Sequence, residues 1–174
     1  MKNDYTVNGD TTIIHAKFRG NPIDVLIDTN DLDKVLSFKG TWSGRWDNRN
    51  IYVTTVLTKD KIKTHTNIHK AIMGTDNFLP YIDHKDGNTL DNRKDNLRFC
   101  TCQQNNMNSK PRKGTSIYKG VSWSKRKKKW ETGIFVNKKT IHLGYYKSEE
   151  EAALVYNLAA SIHFGEFARL NEVS

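Results

Sequence analysis

Residues 83–105 include side chains whose types suit the cleavage of a phosphodiester bond. Asp83 and His84 are adjacent, and Asn96 and Asn105 follow further along the chain. Cleaving such a bond needs an activated water, charge stabilisation on the phosphate and assistance for the leaving oxygen. A neutral imidazole is a suitable base near neutral pH, whereas carboxylate and amide oxygens are hard ligands suited to Mg²⁺ or Mn²⁺. This set therefore predicts metal-dependent hydrolysis of a nucleic-acid backbone.

The surrounding segment, roughly residues 65–108, resembles the HNH endonuclease motif, whose fold is a ββα-metal unit. The matching features are Asp83-His84, the turn Asp86-Gly87, the run Asn96-Leu97-Arg98 and Asn105. The resemblance implies that Asp83 and Asn105 bind one divalent cation. It further implies that His84 activates water and that Asn96 pins the loop by hydrogen bonds. The final position is an asparagine, and no cysteine framework surrounds the motif, so we expect Mg²⁺ or Mn²⁺ and not Zn²⁺.

Two further residues belong to the candidate site on weaker grounds. Ile68-His69-Lys70 resembles the helix that leads into the motif in HNH enzymes and carries a histidine. His69 is therefore a candidate catalytic residue, although a packing role or a phosphate contact is an equal alternative. Arg98 is a candidate DNA-binding residue because its planar guanidinium suits a phosphate.

The C-terminal part, residues 116–171, resembles the APETALA-type DNA-binding domain of plant ethylene-response factors. The resemblance rests on four runs of sequence and on Trp130. The runs are Tyr118-Lys119-Gly120-Val121, Leu143-Gly144-Tyr145-Tyr146, Glu150-Glu151-Ala152-Ala153 and Tyr156-Asn157-Leu158-Ala159-Ala160, with Leu170-Asn171 closing the match. It implies a three-stranded antiparallel sheet packed on one helix, with the sheet in the DNA major groove. Ser122 and His142 depart from the family pattern, so no base preference carries over.

The charges of this region favour a phosphate-binding sheet. From Lys110 to Lys139 there are eleven Lys or Arg residues and a single acid, Glu131. A solvated loop is the alternative for the Lys-rich turn, and core packing is an equal alternative for Trp130. The predicted DNA-binding residues are Arg98, Lys119, Trp123, Lys125, Arg126, Lys129 and Trp130.

The predicted elements place these residues on an α+β framework. Residues 1–60 form a β-rich segment, 61–108 the HNH unit, 109–115 a basic linker and 116–174 the DNA-binding domain. Strands are expected at Ile13-Ile14, Asp24–Ile27, Ile51–Leu57, Tyr81–Gly87, Leu97–Cys100, Ile117–Trp123, Lys129–Phe135 and Lys139–Tyr145. Asn30-Asp31 is expected to cap a short helix that runs through Leu36, and further helices are expected over Asn67–Met73 and from Cys102 to Asn108. The last helix begins at Ser148, which forms a capping box with Glu151, and ends at Gly165.

Composition limits the classes of function. The 174 residues carry a formal net charge of +9, and the isoelectric point is about 9.5. Such a surplus favours a polyanionic partner, and duplex DNA is the predicted one. We expect no membrane association and identify no protein partner. Because no signal sequence is recognised at the N-terminus and Cys100 and Cys102 suit a reducing compartment, a cytoplasmic protein is expected, and a phage origin would be compatible with this.

Two alternatives to a nuclease remain open at the level of sequence. One is a DNA-binding transcriptional regulator whose HNH unit is non-catalytic, although Asp83, His84 and Asn105 argue against it. The other is a sequence-nonspecific RNA binder, which the duplex-reading type of sheet makes less favoured. A homing or phage-type endonuclease would fit the two-module organisation.

Overall fold

The computed structural model describes residues 1–47, 50–59, 61–75 and 81–173. Over these residues the chain is α+β, as predicted, and is built from small antiparallel sheets with few helices. It divides into two compact units, Met1–Thr101 and Cys102–Ser174. The four-part division expected from the sequence stays a prediction.

The first unit contains two three-stranded sheets and one two-stranded hairpin. The first sheet is β1 (Tyr5–Asn8), β2 (Thr11–Phe18) and β3 (Asn21–Asp28); the second is β4 (Ser43–Asp47), β5 (Asn50–Lys59) and β6 (Ile62–Asn67). The hairpin is β7 (Tyr81–His84) and β8 (Leu97–Cys100), and the helices are α1 (Leu32–Leu36) and α2 (Ile68–Met73). All strand pairs are antiparallel. The predicted strands of this unit and helix α2 are confirmed.

One core joins the N-terminal strands to the hairpin that carries Asp83 and His84. Alternate residues of β2 and β3 point inward, and α2 adds one face of its two turns. The fully or nearly buried members are Ile14, Ala16, Val25, Ile27, Val35, Trp42, Val53, Ile68, Ile72, Ile82 and Leu97. Each large aliphatic side chain buried here contributes about 1.5–3 kcal/mol. The hairpin is therefore held by the same apolar cluster as the first sheet.

Helix α1 is present where it was expected, but its predicted side-chain cap is wrong. The residue at the N-cap is Asp31, and its carboxylate makes no hydrogen bond to the helix backbone. Instead Asp31 accepts from the ammonium groups of Lys34 and Lys94, each at 2.8 Å. Two charged donors compete for this buried carboxylate more strongly than a backbone N–H does.

The second unit contains helix α3 (Cys102–Met107), a three-stranded sheet and a long helix. The strands are β9 (Val121–Ser124), β10 (Lys129–Val136) and β11 (Lys139–Tyr146), in the order β11-β10-β9, and the helix is α4 (Glu149–Phe164). Strand β9 begins at Val121 and not at Ile117 as expected. The cause is Gly120, whose φ of 78° lies in the left-handed region and which packs against the ring of Tyr156. A Cβ at this position would lie 2.0 Å from Tyr156 Cδ2, so only glycine fits.

Helix α4 covers the sheet with one face and begins at the predicted cap. The Ser148 hydroxyl accepts from the Glu151 backbone N–H at 3.1 Å. The buried side chains of the helix are Ala152, Ala153, Tyr156, Ala159, Ala160 and Phe164. Ile162 is 71% exposed, because Phe164 takes the last core position of the helix.

Candidate functional site

The predicted catalytic pair lies on strand β7, where its two side chains face different neighbours. Asp83 is directly opposite Arg98 in the hairpin register, and His84 is opposite Leu97. Both are buried, with exposed fractions of 6% and 4%. Adjacent strand residues point to opposite faces of the hairpin. The Asp83 carboxylate and the His84 imidazole therefore lie in two different environments.

Asp83 is held by an ion pair with Arg98. The Arg98 Nε and Nη2 groups both donate to Asp83 Oδ2, at 2.9 and 2.7 Å. The two side chains are only 10% and 7% exposed. The predicted DNA-contacting residue Arg98 is therefore engaged inside the protein, and a phosphate would have to compete with Asp83 for it. Its role in DNA binding stays a prediction.

His84 lies in an aromatic and amide environment. Its Nε2 is 3.2 Å from Asn92 Oδ1, its ring centroid is 5.2 Å from that of His69, and that of Tyr52 lies 6.2 Å away. Burial lowers the pKa of His84, although the Asn92 hydrogen bond and the charge of Asp83 act in the opposite direction. At neutral pH the imidazole is uncharged, which is the form that a general base requires.

His69 is packed under His84 on helix α2. It is 4% exposed, and burial, together with His84 and Lys70, lowers its pKa to about 3. Its Nδ1 atom is buried without a hydrogen-bond partner among the described residues. Its T-shaped contacts with His84 and Tyr52 support a packing role. The catalytic role of His69 stays a prediction.

Asn96 closes the loop that links the two hairpin strands. Its Oδ1 accepts from the Asp86 backbone N–H at 3.1 Å, and its Nδ2 donates to the Asp91 carbonyl at 2.9 Å. The Asn96 carbonyl also accepts from the Lys85 N–H at 2.8 Å. These bonds connect the start, the middle and the end of the loop. The Asn96 side chain therefore stabilises the conformation of the loop. Its part in catalysis stays a prediction.

The expected metal ligands lie on different elements. Asp83 is on β7 in the first unit, and Asn105 is an exposed residue of α3 in the second. No group of three or more His, Cys, Asp or Glu side chains that could hold a metal occurs in the part of the chain that the structure describes. The donors of the predicted set are one carboxylate and one amide oxygen. Hard oxygens in such small number fit Mg²⁺ or Mn²⁺, which keep waters and take phosphate oxygens as further ligands.

The predicted DNA-binding residues of the second unit fall into two groups. Lys125, Arg126 and Lys129 are exposed at the β9–β10 hairpin. Trp123 and Trp130 contact each other edge to face, with centroids 5.2 Å apart. Trp130 also packs on the cluster of Val121, Ala152 and Ala153 under α4, whereas Trp123 is 38% exposed. The three basic residues and Trp123 are therefore available to a ligand, and Trp130 contributes to the core.

Lys119 differs from the other predicted DNA-binding residues. Its ammonium group donates to the carbonyls of Met107 and, at 2.8 Å, of Ser109, and lies 3.5 Å from that of Asn106. Burial, assisted by the charge of Arg169, lowers its pKa to about 8. The side chain therefore binds the carbonyls at the C-terminal end of α3, which is a favourable place for a cation. Its phosphate contact stays a prediction.

Asn92 contacts His84, and Tyr52 lies beside both His69 and His84, but no sequence signal assigns either residue a role. Asn92 lies in the motif loop but is fully buried, and Tyr52 comes from β5, far away in sequence. The sequence places Asn92 in a polar loop, but the pattern of loop residues does not reveal that its side chain is buried. No sequence signal identifies Tyr52, because its proximity depends on the packing of β5.

The chain is similar to an endonuclease family model and to two viral proteins. The HNH endonuclease family model matches residues 81–107. Protein 3.8 of Escherichia phage T7 is 34% identical over 108 residues, which cover 62% of this chain and 88% of that protein. An uncharacterized HNH endonuclease of Acanthamoeba polyphaga mimivirus is 38% identical over 93 residues, which cover 53% of this chain but only 48% of the mimivirus protein.

No solved structure matches the chain. Among the described residues, no helix combines the length and the apolar composition that crossing a membrane requires. The match to the phage protein covers most of that relative, and the HNH segment is the part that contains Asp83, His84 and Asn96. The chain therefore belongs to the family of phage T7 Protein 3.8, and its residues 81–107 form an HNH endonuclease motif.

Proposed function

We propose that this protein is an endonuclease that hydrolyses phosphodiester bonds of duplex DNA. The observation that carries the proposal is His84, a buried neutral imidazole on the HNH hairpin, next to a carboxylate and with one ring nitrogen bound by an amide oxygen. The presence of Asp83, His84 and Asn105 together argues against a DNA-binding regulator with a non-catalytic HNH unit. The HNH motif and the mimivirus relative support the class of reaction.

The chain's own residues define the proton transfer. His84 Nε2 is the nitrogen close to Asn92 Oδ1, so the proton of the neutral ring lies on Nε2. The basic lone pair then lies on Nδ1. This nitrogen takes a proton from the attacking water, and the new bond forms between the water oxygen and phosphorus as the bond to the leaving oxygen breaks. Asn96 keeps the loop between the strands in place during this step.

Asp83 and Asn105 would hold the divalent cation, Mg²⁺ or Mn²⁺. When bound, this cation supplies charge stabilisation on the phosphate and assistance for the leaving oxygen. Arg98 reduces the negative charge at Asp83 and orients its carboxylate through two donors on a single oxygen. Arg98 is also a candidate contact to the cleaved phosphate, in exchange for its present partner.

The second unit would supply affinity for DNA. One exposed hairpin end carries the basic residues Lys125, Arg126 and Lys129. At this exposed end they are accessible to the phosphates of DNA. Trp123 and Trp130 lie beside this basic turn, and Lys119 joins them only if it leaves the α3 carbonyls. The fold of one helix on a three-stranded antiparallel sheet supports an APETALA-type domain. The phage and viral relatives support a homing or phage-type endonuclease.

Incubation with supercoiled plasmid tests the proposal. With Mg²⁺ or Mn²⁺ the wild type is expected to convert the plasmid to nicked or linear form, and a chelator or Asp83→Asn is expected to stop this. A gel-shift assay on the same preparations shows that DNA binding survives in both controls. Binding without cleavage, for every metal and substrate length, would instead support a DNA-binding regulator. Preference for double-stranded RNA in competition would support an RNA binder.

A further inference from the structure

We propose that Asn92 is the positioning residue that fixes the tautomer of His84, and that the N-terminal sheet holds Asn92 in place for this purpose. The inference rests on the proposed function, because it assigns a partner to the base of that reaction. A histidine acts as a base only through the nitrogen without a proton, and the hydrogen bond of the other nitrogen decides which one that is.

The orientation of the Asn92 amide follows from its two contacts. Its Nδ2 lies 3.4 Å from the Thr89 carbonyl, which can only accept a hydrogen bond. The NH₂ group must therefore face Thr89, and Oδ1 faces His84 Nε2 at 3.2 Å. An amide oxygen can only accept, so Nε2 is the donor. Because Asn92 has an exposed fraction of 0%, water does not compete for this oxygen.

The backbone on either side of Asn92 is bonded to strand β3. The Asn92 N–H donates to the Leu26 carbonyl at 2.8 Å, and the Leu26 N–H donates to the Leu90 carbonyl at 2.9 Å. Leu26 and Asp91 form an isolated parallel bridge between these two bonds. The loop is therefore attached to strand β3, at the edge of the first sheet, through a single parallel bridge next to Asn92.

Side chains fix the loop at both of its ends. The Asp28 carboxylate accepts from the Lys94 backbone N–H at 2.7 Å, and the Lys94 ammonium group lies 2.8 Å from Asp31. On the other side, the Thr89 hydroxyl donates to the Ile51 carbonyl at 2.6 Å. Bonds from β3, from the turn after it and from β5 thus converge on a single loop. They give the N-terminal strands a role in placing the base, beyond packing.

Spectroscopy of the metal-free protein tests this inference without any activity. Long-range ¹H–¹⁵N correlation identifies the protonated nitrogen of each histidine, and the His84 signals are assigned by their loss in His84→Gln. The wild type is expected to show His84 protonated on Nε2. Asn92→Ala is expected to lose this preference, and Asn92→Asp, which keeps an acceptor at the same place, to retain it. Asn21→Ala, an exposed asparagine on β3, is the matched control and should leave the signals unchanged.

Cleavage assays on the same proteins complete the test. Asn92→Ala is expected to lower the cleavage rate by about 10- to 100-fold, the range seen when a metal-bound histidine loses the residue that orients it. If Asn92→Ala does not fold, Asn92→Asp still tests whether an acceptor at this position keeps His84 protonated on Nε2. An Nδ1-protonated His84 in the wild type, or unchanged tautomer and rate in a folded Asn92→Ala, would overturn the inference. A wild type that never cleaves DNA would overturn the proposed function instead, and the tautomer of His84 would still decide the positioning role.

Discussion

Arg98 lies directly across the hairpin from Asp83 and places two donors on one oxygen of its carboxylate, at 2.9 and 2.7 Å. The pair is almost fully buried, so neither charge is well solvated. Removing one partner of a buried ion pair leaves an uncompensated charge, which is costly. A divalent cation on Asp83 would have to share this carboxylate with the guanidinium or replace it. If Asp83 is a metal ligand as proposed, the Asp83–Arg98 pair connects the stability of the hairpin to metal binding.

Replacing Arg98 tests that connection. Arg98→Met is expected to reduce the free energy of unfolding by about 3 kcal/mol, because Asp83 stays buried without its guanidinium partner. Mg²⁺ or Mn²⁺ should then raise the Tm of Arg98→Met more than that of the wild type, since the cation replaces the missing charge. Thermal unfolding with and without metal measures both effects.

Arg93 offers a matched control for this experiment. It pairs with Asp91, whose side chain is 7% exposed like that of Asp83, although the Arg93 side chain itself is 42% exposed. Arg93→Met should therefore also leave a buried carboxylate without its partner and lower the free energy of unfolding, by up to about 3 kcal/mol, but it should show no additional stabilisation by metal. Equal metal responses of the two variants would contradict the assignment of Asp83 as a metal ligand.

Stability should fall in mild acid because of His69. Its folded pKa is about 3, below the ordinary value of 6.5, so the unfolded chain binds more protons between these two values. The contribution of the neutral, buried His69 to the free energy of unfolding is complete above pH 6.5. It is lost as the pH falls towards 3, by at most about 1.4 kcal/mol per pH unit. Urea unfolding at several pH values should show a smaller acid loss for His69→Phe than for the wild type. Identical slopes would show that His69 is not buried in neutral form.

The salt dependence of DNA binding separates Lys119 from the basic turn. Lys125→Ala should reduce the slope of log Kd against log salt by about 1, as expected for the loss of one phosphate contact. Lys119→Met should leave the slope unchanged, because its ammonium group already binds the α3 carbonyls. It should instead lower the free energy of unfolding by about 1–3 kcal/mol, since these carbonyls lose a buried donor. A reduced slope for Lys119→Met would support the phosphate contact expected from the sequence.

The N-cap of α4 provides a local test of the second unit. Ser148→Ala removes the hydroxyl that accepts from the Glu151 N–H and should cost about 1 kcal/mol of stability. Ser161→Ala, at an exposed position of the same helix, serves as the control. Chemical denaturation should show a lower midpoint for the first variant alone. Equal midpoints would mean that the cap does not stabilise the helix.

The sequence predicts the ends of several helices and strands, because caps and turns depend on residues that are close together in the chain. Ser148 and Glu151 mark the start of α4, and Gly74, with a φ of 68°, marks the end of α2. The hairpin of β7 and β8 follows from short apolar runs around an Asp86-Gly87 turn. Strand β6 was missed, because its side chains are nearly all exposed and show no alternation that would identify it.

The candidate site divides in the same way. The types and order of Asp83, His84 and Asn96 are visible in the sequence, and the motif match covers all three. Their partners are not, since the contact of Asn92 with His84 depends on the loop being bonded to β3. Lys119 was expected to face DNA because it lies in a basic run, but the position of α3 decides where its ammonium group binds. Contacts between distant segments are thus the part that local patterns do not contain.

The rate of DNA nicking by His84→Ala, measured in single turnover with saturating Mg²⁺ or Mn²⁺, tests whether His84 is the base of the reaction. The wild type is expected to nick duplex DNA, and the variant to be at least about 100-fold slower, with unchanged DNA affinity and an intact fold. A folded, DNA-binding His84→Ala that cleaves at the wild-type rate would contradict the assignment of His84 as the base.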